Sequence, residues 1–331
     1  MKFVKMFACL LLVVGFGSLP AGAETGSFER TLSVSGPVSL EVTTGSGSIT
    51  VRSGGNGTVH IFAKIHAHDS WFGMSATEKI HNLESNPPID QQGNTIRVGG
   101  IRGRQSAFWW LFGWDSNNVS IDYDLTVPPA TGLASHTGSG NQSLDGLQLS
   151  SSAEAGSGNI TVQNMVGDLR VTSGSGDLKI DSVKGALHAE TGSGSIRATG
   201  VAGEVSASTG SGNVEVQQAA PGNVAIKTGS GGVTLSGVRG GLKIQTGNGE
   251  IRVAGEPKDD WHVGTGSGNI DLTLPSQASF SLDATTSSGS VELHRPLTVQ
   301  GLVSRNHLQG RTGSGGALLD AHTASGNIEI N

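Results

Sequence analysis

A short phrase, T-G-S-G followed by a small or polar residue and then an apolar one, returns along this chain at steps of 18 or 19 residues. Copies, some with small changes, begin at Ala155, Ser173, Thr191, Thr209, Thr228, Thr246 and Thr265. A fixed period this short is typical of a solenoid, in which each repeat buries its apolar side only by stacking on its neighbours. This repeat constrains the fold more than any other feature of the sequence.

One repeat contains two short stretches that alternate between apolar and polar residues. Ile196 and Ala198 alternate with polar neighbours, and Val205 and Ala207 do the same further along the repeat. Alternation with a period of two is typical of half-buried strands, and the glycines between the stretches are typical of tight turns. The sequence therefore predicts an all-β fold, a parallel β-solenoid (β-helix-like) of two-strand coils with about 18 residues each.

The period also predicts which residues share a column along the stack. Two apolar columns are expected to face inward: Ile160, Leu178, Ile196, Val214, Val233, Ile251 and Ile270 on one strand, and Leu169, Leu187, Val205, Val224 and Leu242 on the other. The threonines that open the copies, such as Thr191 and Thr209, are expected to form an outward-facing Thr ladder. Asn159, Asp177 and their equivalents are expected to bond to turn backbone or to the next coil.

The first 23 residues have a basic start, an apolar run and the sequence P-A-G-A before Glu24. This pattern is typical of an export signal peptide (residues 1–23), and we expect cleavage after Ala23. The single cysteine, Cys9, lies inside the apolar run, so the mature chain would have none. We therefore expect an exported protein, periplasmic or at the cell surface or secreted, with no transmembrane segment in the mature chain.

The charge of the mature chain is acidic. Loss of Lys2 and Lys5 leaves 21 − 2 = 19 basic residues against 27 acidic ones. The basic residues are scattered and alternate with acidic ones, and no basic stripe or aromatic platform accompanies them. We therefore expect no nucleic-acid partner.

The domain organisation follows from where the repeat is regular. We expect an N-terminal β segment with an aromatic loop over residues 24–130 and a β-solenoid repeat domain over residues 131–331. In the irregular segment the patterns predict strands at Val59–Ala67, Asn94–Val98 and Val119–Val127, and one or two helical turns at Thr77–Leu83.

The last copies depart from the regular period. They begin at Thr286, Thr312 and Thr323, at unequal steps. Atypical terminal repeats usually cap a solenoid, and we expect these copies to do so.

The sequence V-S-I-D-Y-D-L-T-V-P-P at Val119–Pro129, followed by serial T-G-S-G turns, resembles a family of exported bacterial proteins of unknown function labelled "putative adhesin". That family is related to autotransporter-adhesin-like β-solenoids. The resemblance covers most of the mature chain and implies a solenoid fold without catalytic residues. The adhesin role that it implies is an analogy from architecture. The aromatic segment Phe108–Trp114 departs from the family pattern.

A possible metal-binding pattern lies at the end of one predicted strand. Alternation places His66 and His68 on one face, with Asp69 beside them. Zinc requires three or four ligands, which Asp69 or His81 would have to complete. The alternative is a polar strand face that continues into a loop. We expect no cofactor, and His66, His68 and Asp69 are the metal candidates.

Catalysis on a β-solenoid requires acids or bases clustered on adjacent coils, one repeat apart. The outward acids Asp181, Glu215, Asp271 and Glu292 do not line up at that spacing. A calcium roll needs an acidic residue in every copy, which this repeat lacks. The sequence therefore predicts that the protein is not an enzyme.

Four of the five tryptophans lie in the irregular segment. One interpretation is that the aromatic loop covers an open end of the solenoid, which would otherwise template aggregation. The other is an exposed apolar tip that contacts a membrane surface, a partner or a glycan. The interaction candidates are Trp71, Phe108, Trp109, Trp110, Phe112 and Trp114.

Together these patterns predict a non-enzymatic structural or interaction protein, adhesin-like, that displays a repeat solenoid at the cell surface or in the periplasm. The expected partner is a protein or glycan at the cell envelope, with peripheral membrane contact through the Trp-rich loop as one form of it. Two alternatives stay open. One is a periplasmic envelope-stress or assembly component that binds a membrane protein through that loop, and the other is a carbohydrate-binding or carbohydrate-active β-helix protein.

Overall fold

The computed structural model describes residues 24–69, 74–99, 119–299 and 304–331. These residues form one helix and two long sheets, which lie face to face around a shared apolar core. In chain order the elements are β1 (Glu24–Ser33), β2 (Val38–Thr44), β3 (Ile49–Ser53), β4 (Thr58–Ala67), α1 (Ala76–Ser85), β5 (Ile89–Gln92), β6 (Thr95–Val98), β7 (Val119–Val127), β8 (Thr131–Thr137), β9 (Gln142–Asp145), β10 (Ser151–Ala155), β11 (Ile160–Val166), β12 (Leu169–Ser173), β13 (Leu178–Lys184), β14 (Leu187–Thr191), β15 (Ile196–Ala202), β16 (Val205–Thr209), β17 (Val214–Gln218), β18 (Val224–Ser230), β19 (Val233–Val238), β20 (Leu242–Asn248), β21 (Ile251–Gly255), β22 (Trp261–Ser267), β23 (Ile270–Thr273), β24 (Phe280–Ser288), β25 (Val291–Leu293), β26 (Thr298–Val299), β27 (His307–Thr312), β28 (Leu318–Ser325) and β29 (Ile328–Ile330).

The predicted parallel β-solenoid is confirmed. Each coil gives one strand to sheet A, which has 14 strands, and one to sheet B, which has 15. Consecutive coils pair in parallel with equivalent residues side by side, as Leu178 with Ile196 and Leu187 with Val205. Eleven such coils stack within the described residues, which at strand spacing gives a stack about 50 Å long.

The core consists of the two predicted apolar columns. Their members are at most 2% exposed, from Ile160 to Ile270 on sheet A and from Leu169 to Leu242 on sheet B. Full burial of one such side chain contributes roughly 1.5–3 kcal/mol. The columns repeat in every coil, so most of the stability comes from stacking between neighbours.

The predicted outward Thr ladder is wrong, because these threonines face inward. Thr191 is 2% exposed, and its hydroxyl donates a hydrogen bond of 2.9 Å to the carbonyl of Gly176 in the preceding coil. The same hydroxyl accepts from the backbone N–H of Gly194 at 3.2 Å. Thr209 repeats the bond to the preceding coil at 2.8 Å. The ladder therefore satisfies buried turn backbone and presents nothing to solvent.

The second glycine of each turn is required by the close approach of successive coils. A Cβ atom added to Gly194 would lie 2.0 Å from the carbonyl oxygen of Gly176. Any larger residue would force the two turns apart. The repeated glycines are thus explained by stacking.

The polar column after that glycine behaves as predicted. The side-chain oxygen of Asn159 accepts from the backbone N–H of Asp177 at 2.8 Å, and that of Asp177 accepts from Ser195 at the same distance. Asn213 and Asn269 make the same bond to the next coil, so four members of the column hold the turn of a neighbouring coil.

The N-terminal residues extend the solenoid and cover one end of it. β2 and β3 form a coil that pairs with β8 and β9, so both sheets run across residue 131 without a break. The division into two domains at that residue stays a prediction. β1, β4 and β7 continue sheet A with antiparallel pairing. α1 confirms the predicted helical turns, and Ser75 caps its N-terminus and forms a capping box with Glu78.

The other end of the stack departs from chain order. The copies at Thr286 and Thr312 lie on β24 and β27 at this end, as expected of capping repeats, whereas the copy at Thr323 lies further in, on β28. β28 lies between β22 and β24, and β29 lies between β23 and β25. The last described coil, Leu318–Ile330, is therefore inserted between two coils that precede it; we call it the inserted coil. Residues 274–279 connect β23 to β24 and leave one coil position for it to fill.

Candidate functional surface

The inserted coil brings together polar residues on the outer face of sheet B. The histidine–aspartate row consists of His262, Asp320, Asp283 and His307. His262 Nδ1 lies 3.2 Å from an Asp320 carboxylate oxygen, and His307 Nε2 lies 3.2 Å from one of Asp283. The two aspartates are register partners on β28 and β24. Two carboxylates on adjacent strands are thus flanked by two imidazoles.

The row is open to solvent and lies beside a histidine that covers a glycine. Gly264 on β22 has no side chain, and the imidazole of His322 occupies the space where its Cβ would project, with ring atoms 2.4 Å from that point. The side chains of the row are 38–48% exposed. The face therefore presents carboxylate oxygens and imidazole nitrogens on a flat, hydrated surface.

Sheet A carries a second cluster at the same coils. Asp271, Glu329 and Glu292 are register partners on β23, β29 and β25, so three carboxylates occupy adjacent coils. His294 Nε2 lies 3.4 Å from a Glu329 oxygen. The prediction that outward acids do not line up is therefore wrong here. The insertion, and not the repeat spacing, places Glu329 between the other two.

These groups are suited to binding more than to bond cleavage. A glycosidase uses two carboxyl groups on opposite sides of an enclosed glycosidic bond. Here Glu292 and Glu329 lie on one open face, where water screens their charges. In the histidine–aspartate row, each imidazole contacts a carboxylate of the same row. Such a face can hydrogen-bond hydroxyl-rich ligands and attract cationic groups.

At the opposite end, Asp122 on β7 is the centre of a small hydrogen-bond network. Its carboxylate accepts from the backbone N–H of Ser48 at 2.7 Å and from the Ser48 hydroxyl at 2.8 Å. His66 Nε2 lies 3.1 Å away. Partial burial by itself raises the pKa of Asp122, but the Ser48 hydrogen bonds and the charge and hydrogen bond of His66 outweigh it, so this pKa lies below its ordinary value.

The predicted metal candidates lie near this network but have separate contacts. His66 contacts Asp122, whereas the Asp69 carboxylate accepts from the backbone N–H of Ala76 at 2.9 Å and so supports the start of α1. His68 follows the end of β4. Within the described ranges, no group of three or more His, Cys, Asp or Glu side chains has the spacing to hold a metal ion. His66, His68 and Asp69 stay metal candidates from sequence alone.

The predicted interaction residues lie in other parts of the chain. Trp71, Phe108, Trp109, Trp110, Phe112 and Trp114 lie outside the described residues. The fifth tryptophan, Trp261, is fully buried on β22, and its indole N–H donates to the carbonyl of Gly240 at 2.9 Å. Trp261 therefore has a structural role in the core.

Sequence reasoning missed both clusters at the inserted coil because it compared only consecutive copies. A signal was present, since the copy T-A-S-G-N-I at Thr323 most resembles T-G-S-G-N-I at Thr265. Asn327 and Asn269 hold equivalent places in these copies, and the backbone N–H of Asn327 donates to the Asn269 side chain at 2.9 Å. A search for the best-matching copy, instead of the nearest one, would have paired these strands.

The match to a known sequence family covers the C-terminal part of the solenoid. Residues 185–331 match the family described as Toastrack DUF4097, which confirms the predicted resemblance for that part. No curated protein matches the chain. Among the described residues, no helix has the length and apolar character needed to cross a bilayer.

Three solved structures show a distant similarity. A "putative cell adhesion protein" from Clostridium sporogenes is 12% identical, over 92% of this chain and 99% of that one, with a TM-score of 0.22. A "putative adhesin" from Bacteroides fragilis is 13% identical, over 92% and 97%, with a TM-score of 0.34. A "putative adhesin" from Parabacteroides merdae is 11% identical, over 92% and 96%, with a TM-score of 0.31. TM-scores this low do not bear on what this chain binds.

Proposed function

We propose that this chain, whose residues 185–331 match the Toastrack DUF4097 family, is an exported, non-enzymatic interaction protein that displays its solenoid at the cell envelope. The observation that supports this most strongly is the repetition of polar side chains on the outer faces of a closed apolar stack. Each coil adds outward residues at fixed spacing, such as Arg197 and Glu215 on sheet A, while the inner faces are fully used in packing.

A surface of this kind suits recognition by many weak contacts. Neighbouring outward residues on parallel strands lie about 4.8 Å apart, so an extended polymer can contact several coils in succession. Basic and acidic side chains are interspersed on the face, as at Arg197 and Glu215, which favours ligands with many hydroxyl or amide groups over strongly charged ones. The proposed partner is therefore an envelope glycan or protein.

The experiment that tests display is protease accessibility on intact cells, combined with fractionation into periplasm, membrane and medium. Digestion on intact cells, or recovery from the medium, is the expected result. A known periplasmic protein, probed in the same cells, serves as the control for leakage. Protection on intact cells with release by osmotic shock would contradict surface display and favour the periplasmic envelope component.

A carbohydrate-active protein is the second candidate, because Asp271, Glu329 and Glu292 share one column on adjacent coils. The test is binding of the full chain to a glycan array, followed by product analysis of each bound glycan. Binding without cleavage supports display. Cleavage that is lost in both Glu329→Gln and Glu292→Gln would establish the enzyme instead.

A further inference from the structure

The inserted coil fills a slot whose two walls are parallel strand edges. β22 and β23 form one wall, and β24 and β25 form the other. Without the inserted coil, each wall would leave a row of backbone N–H and C=O groups unpaired. Unpaired edges of this kind readily accept a strand from another chain.

The contacts inside the slot are the contacts that every coil makes. Thr323 donates to the carbonyl of Gly268 at 3.1 Å, as Thr191 does to Gly176 at 2.9 Å. Four fully buried side chains complete the core of this coil: Leu319, Ala321, Ile328 and Ile330. The fit is thus set by the repeat motif and backbone pairing. An identical coil from a second copy of the chain meets the slot with the same complementarity.

The connection to the inserted coil is built as a hinge. Residues 313–317 link β27 to β28, and Gly313, Gly315 and Gly316 have φ angles of 59°, 77° and 150°. These values belong to the region that favours glycine, and they fold the segment back so that its coil enters its own slot. In an extended conformation, five residues span up to about 17 Å. That reach is enough to direct the coil to a neighbouring molecule.

Polar contacts on the outside hold the inserted coil in register. Asp260 accepts from the backbone N–H of Leu318 at 2.8 Å, and Asp320 contacts His262. Arg295 donates to the backbone carbonyls of Leu274 and Asn331. It thereby links the start of the 274–279 connection to the residue that follows the inserted coil. All of these contacts form equally well when the coil comes from another copy.

We propose that the inserted coil is exchanged between two copies of this chain, each filling the slot of the other, to give a closed dimer. Exchange of an identical element creates a dimer without any new type of contact. This self-association goes beyond display and does not depend on the compartment of the protein.

The test uses full-length chains in which Cys9→Ser removes the native thiol. His262→Cys and Asp320→Cys are made in separate chains; the two positions are register partners on adjacent strands, within disulfide range. The two proteins are mixed at high concentration, warmed to near the unfolding midpoint, cooled and oxidised. When the coil of one copy occupies the slot of the other, these positions become neighbours, so a disulfide between chains forms in excess of the collisional linkage that the control measures.

The matched control is the pair His188→Cys and Ser206→Cys, also register partners and also in separate chains. Their coils lie in the interior of the array and cannot be exchanged through a hinge. We expect the yield of disulfide between chains to be severalfold higher for positions 262 and 320 than for positions 188 and 206. The yields are measured by mass spectrometry of the linked peptides. Equal yields would overturn the proposal. A second result would also overturn it. If the double variant His262→Cys/Asp320→Cys, kept dilute, does not form the disulfide within one chain, the coil does not occupy the slot.

Discussion

Removing the hydroxyl of one buried threonine, while keeping its shape, should strongly destabilise the solenoid. In Thr191→Val, the carbonyl of Gly176 and the N–H of Gly194 both lose their partner. A buried backbone group left unsatisfied costs about 1–3 kcal/mol, so we expect the free energy of unfolding to fall by about 2–4 kcal/mol. Valine is close to threonine in shape, so this loss reports the hydrogen bonds.

A conservative variant at the same position separates the hydroxyl from the methyl group. Thr191→Ser keeps both hydrogen bonds, as Ser173 does one coil earlier, with bonds of 2.9 Å to Gly158 and from Gly176. It loses only one buried methyl group, and we expect a cost of about 1 kcal/mol. Thr234→Val, on the exposed side of β19, should stay within about 0.5 kcal/mol of the wild type.

The assay is equilibrium unfolding in urea, followed by circular dichroism and by tryptophan fluorescence. Agreement of the two transitions justifies a single free energy of unfolding. The reasoning requires the order Thr191→Val, then Thr191→Ser, then Thr234→Val, from most to least destabilised. If Thr191→Val is as mild as Thr234→Val, the ladder does not face inward and the stacking account is wrong.

Three further predictions test other parts of the structure by the same unfolding assay. Gly194→Ala should cost about 1–3 kcal/mol because its Cβ meets the Gly176 carbonyl, whereas Gly45→Ala, with open space around it, should be nearly neutral; equal effects would contradict the close approach of the coils. Tyr123→Phe should raise the free energy of unfolding by about 1 kcal/mol, because the buried Tyr123 hydroxyl has no hydrogen-bond partner among the described residues; destabilisation would show that it has one. Asp122→Asn should lower the free energy of unfolding by about 1 kcal/mol at pH 6. The value is modest because the Asp122 side chain is 39% exposed and water screens its charge. The folded-state pKa of Asp122 lies below its ordinary value, so the stabilisation by its carboxylate is present above about pH 4 and is lost as the pH falls through the folded-state pKa. If the difference in free energy of unfolding between Asp122→Asn and the wild type is as large at pH 2 as at pH 6, this reasoning is wrong.

The regular part of the fold could be predicted from the sequence because its core is local in pattern. Leu187 and Ala189 alternate with polar residues, and every coil repeats this, so strands, turns and register followed from the period. The same alternation also places Thr191 inward, two residues after Ala189. We expected it outside because a hydroxyl is polar, whereas the Gly176 carbonyl of the preceding coil satisfies it.

The candidate surface could be predicted much less well, because pairing between distant strands leaves little trace in a repeat. All copies are similar, so the better match between the copies at Thr265 and Thr323 stands out only slightly, and a comparison of consecutive copies does not find it. The order follows from the connections, in which residues 274–279 leave a place open. The joint position of Asp271, Glu329 and Glu292 is a result of that topology and not of any local motif.

The most direct test of the account is a comparison of two disulfides in dilute full-length chains that carry Cys9→Ser. Asp271→Cys is combined either with Glu329→Cys or with Glu292→Cys. With the inserted coil in place, positions 271 and 329 lie on adjacent strands about 4.8 Å apart, whereas 271 and 292 lie two strands apart at about 9.6 Å, outside disulfide range. The account predicts rapid closure of the 271–329 pair alone. Closure of the 271–292 pair in its place would show that the coils stack in chain order.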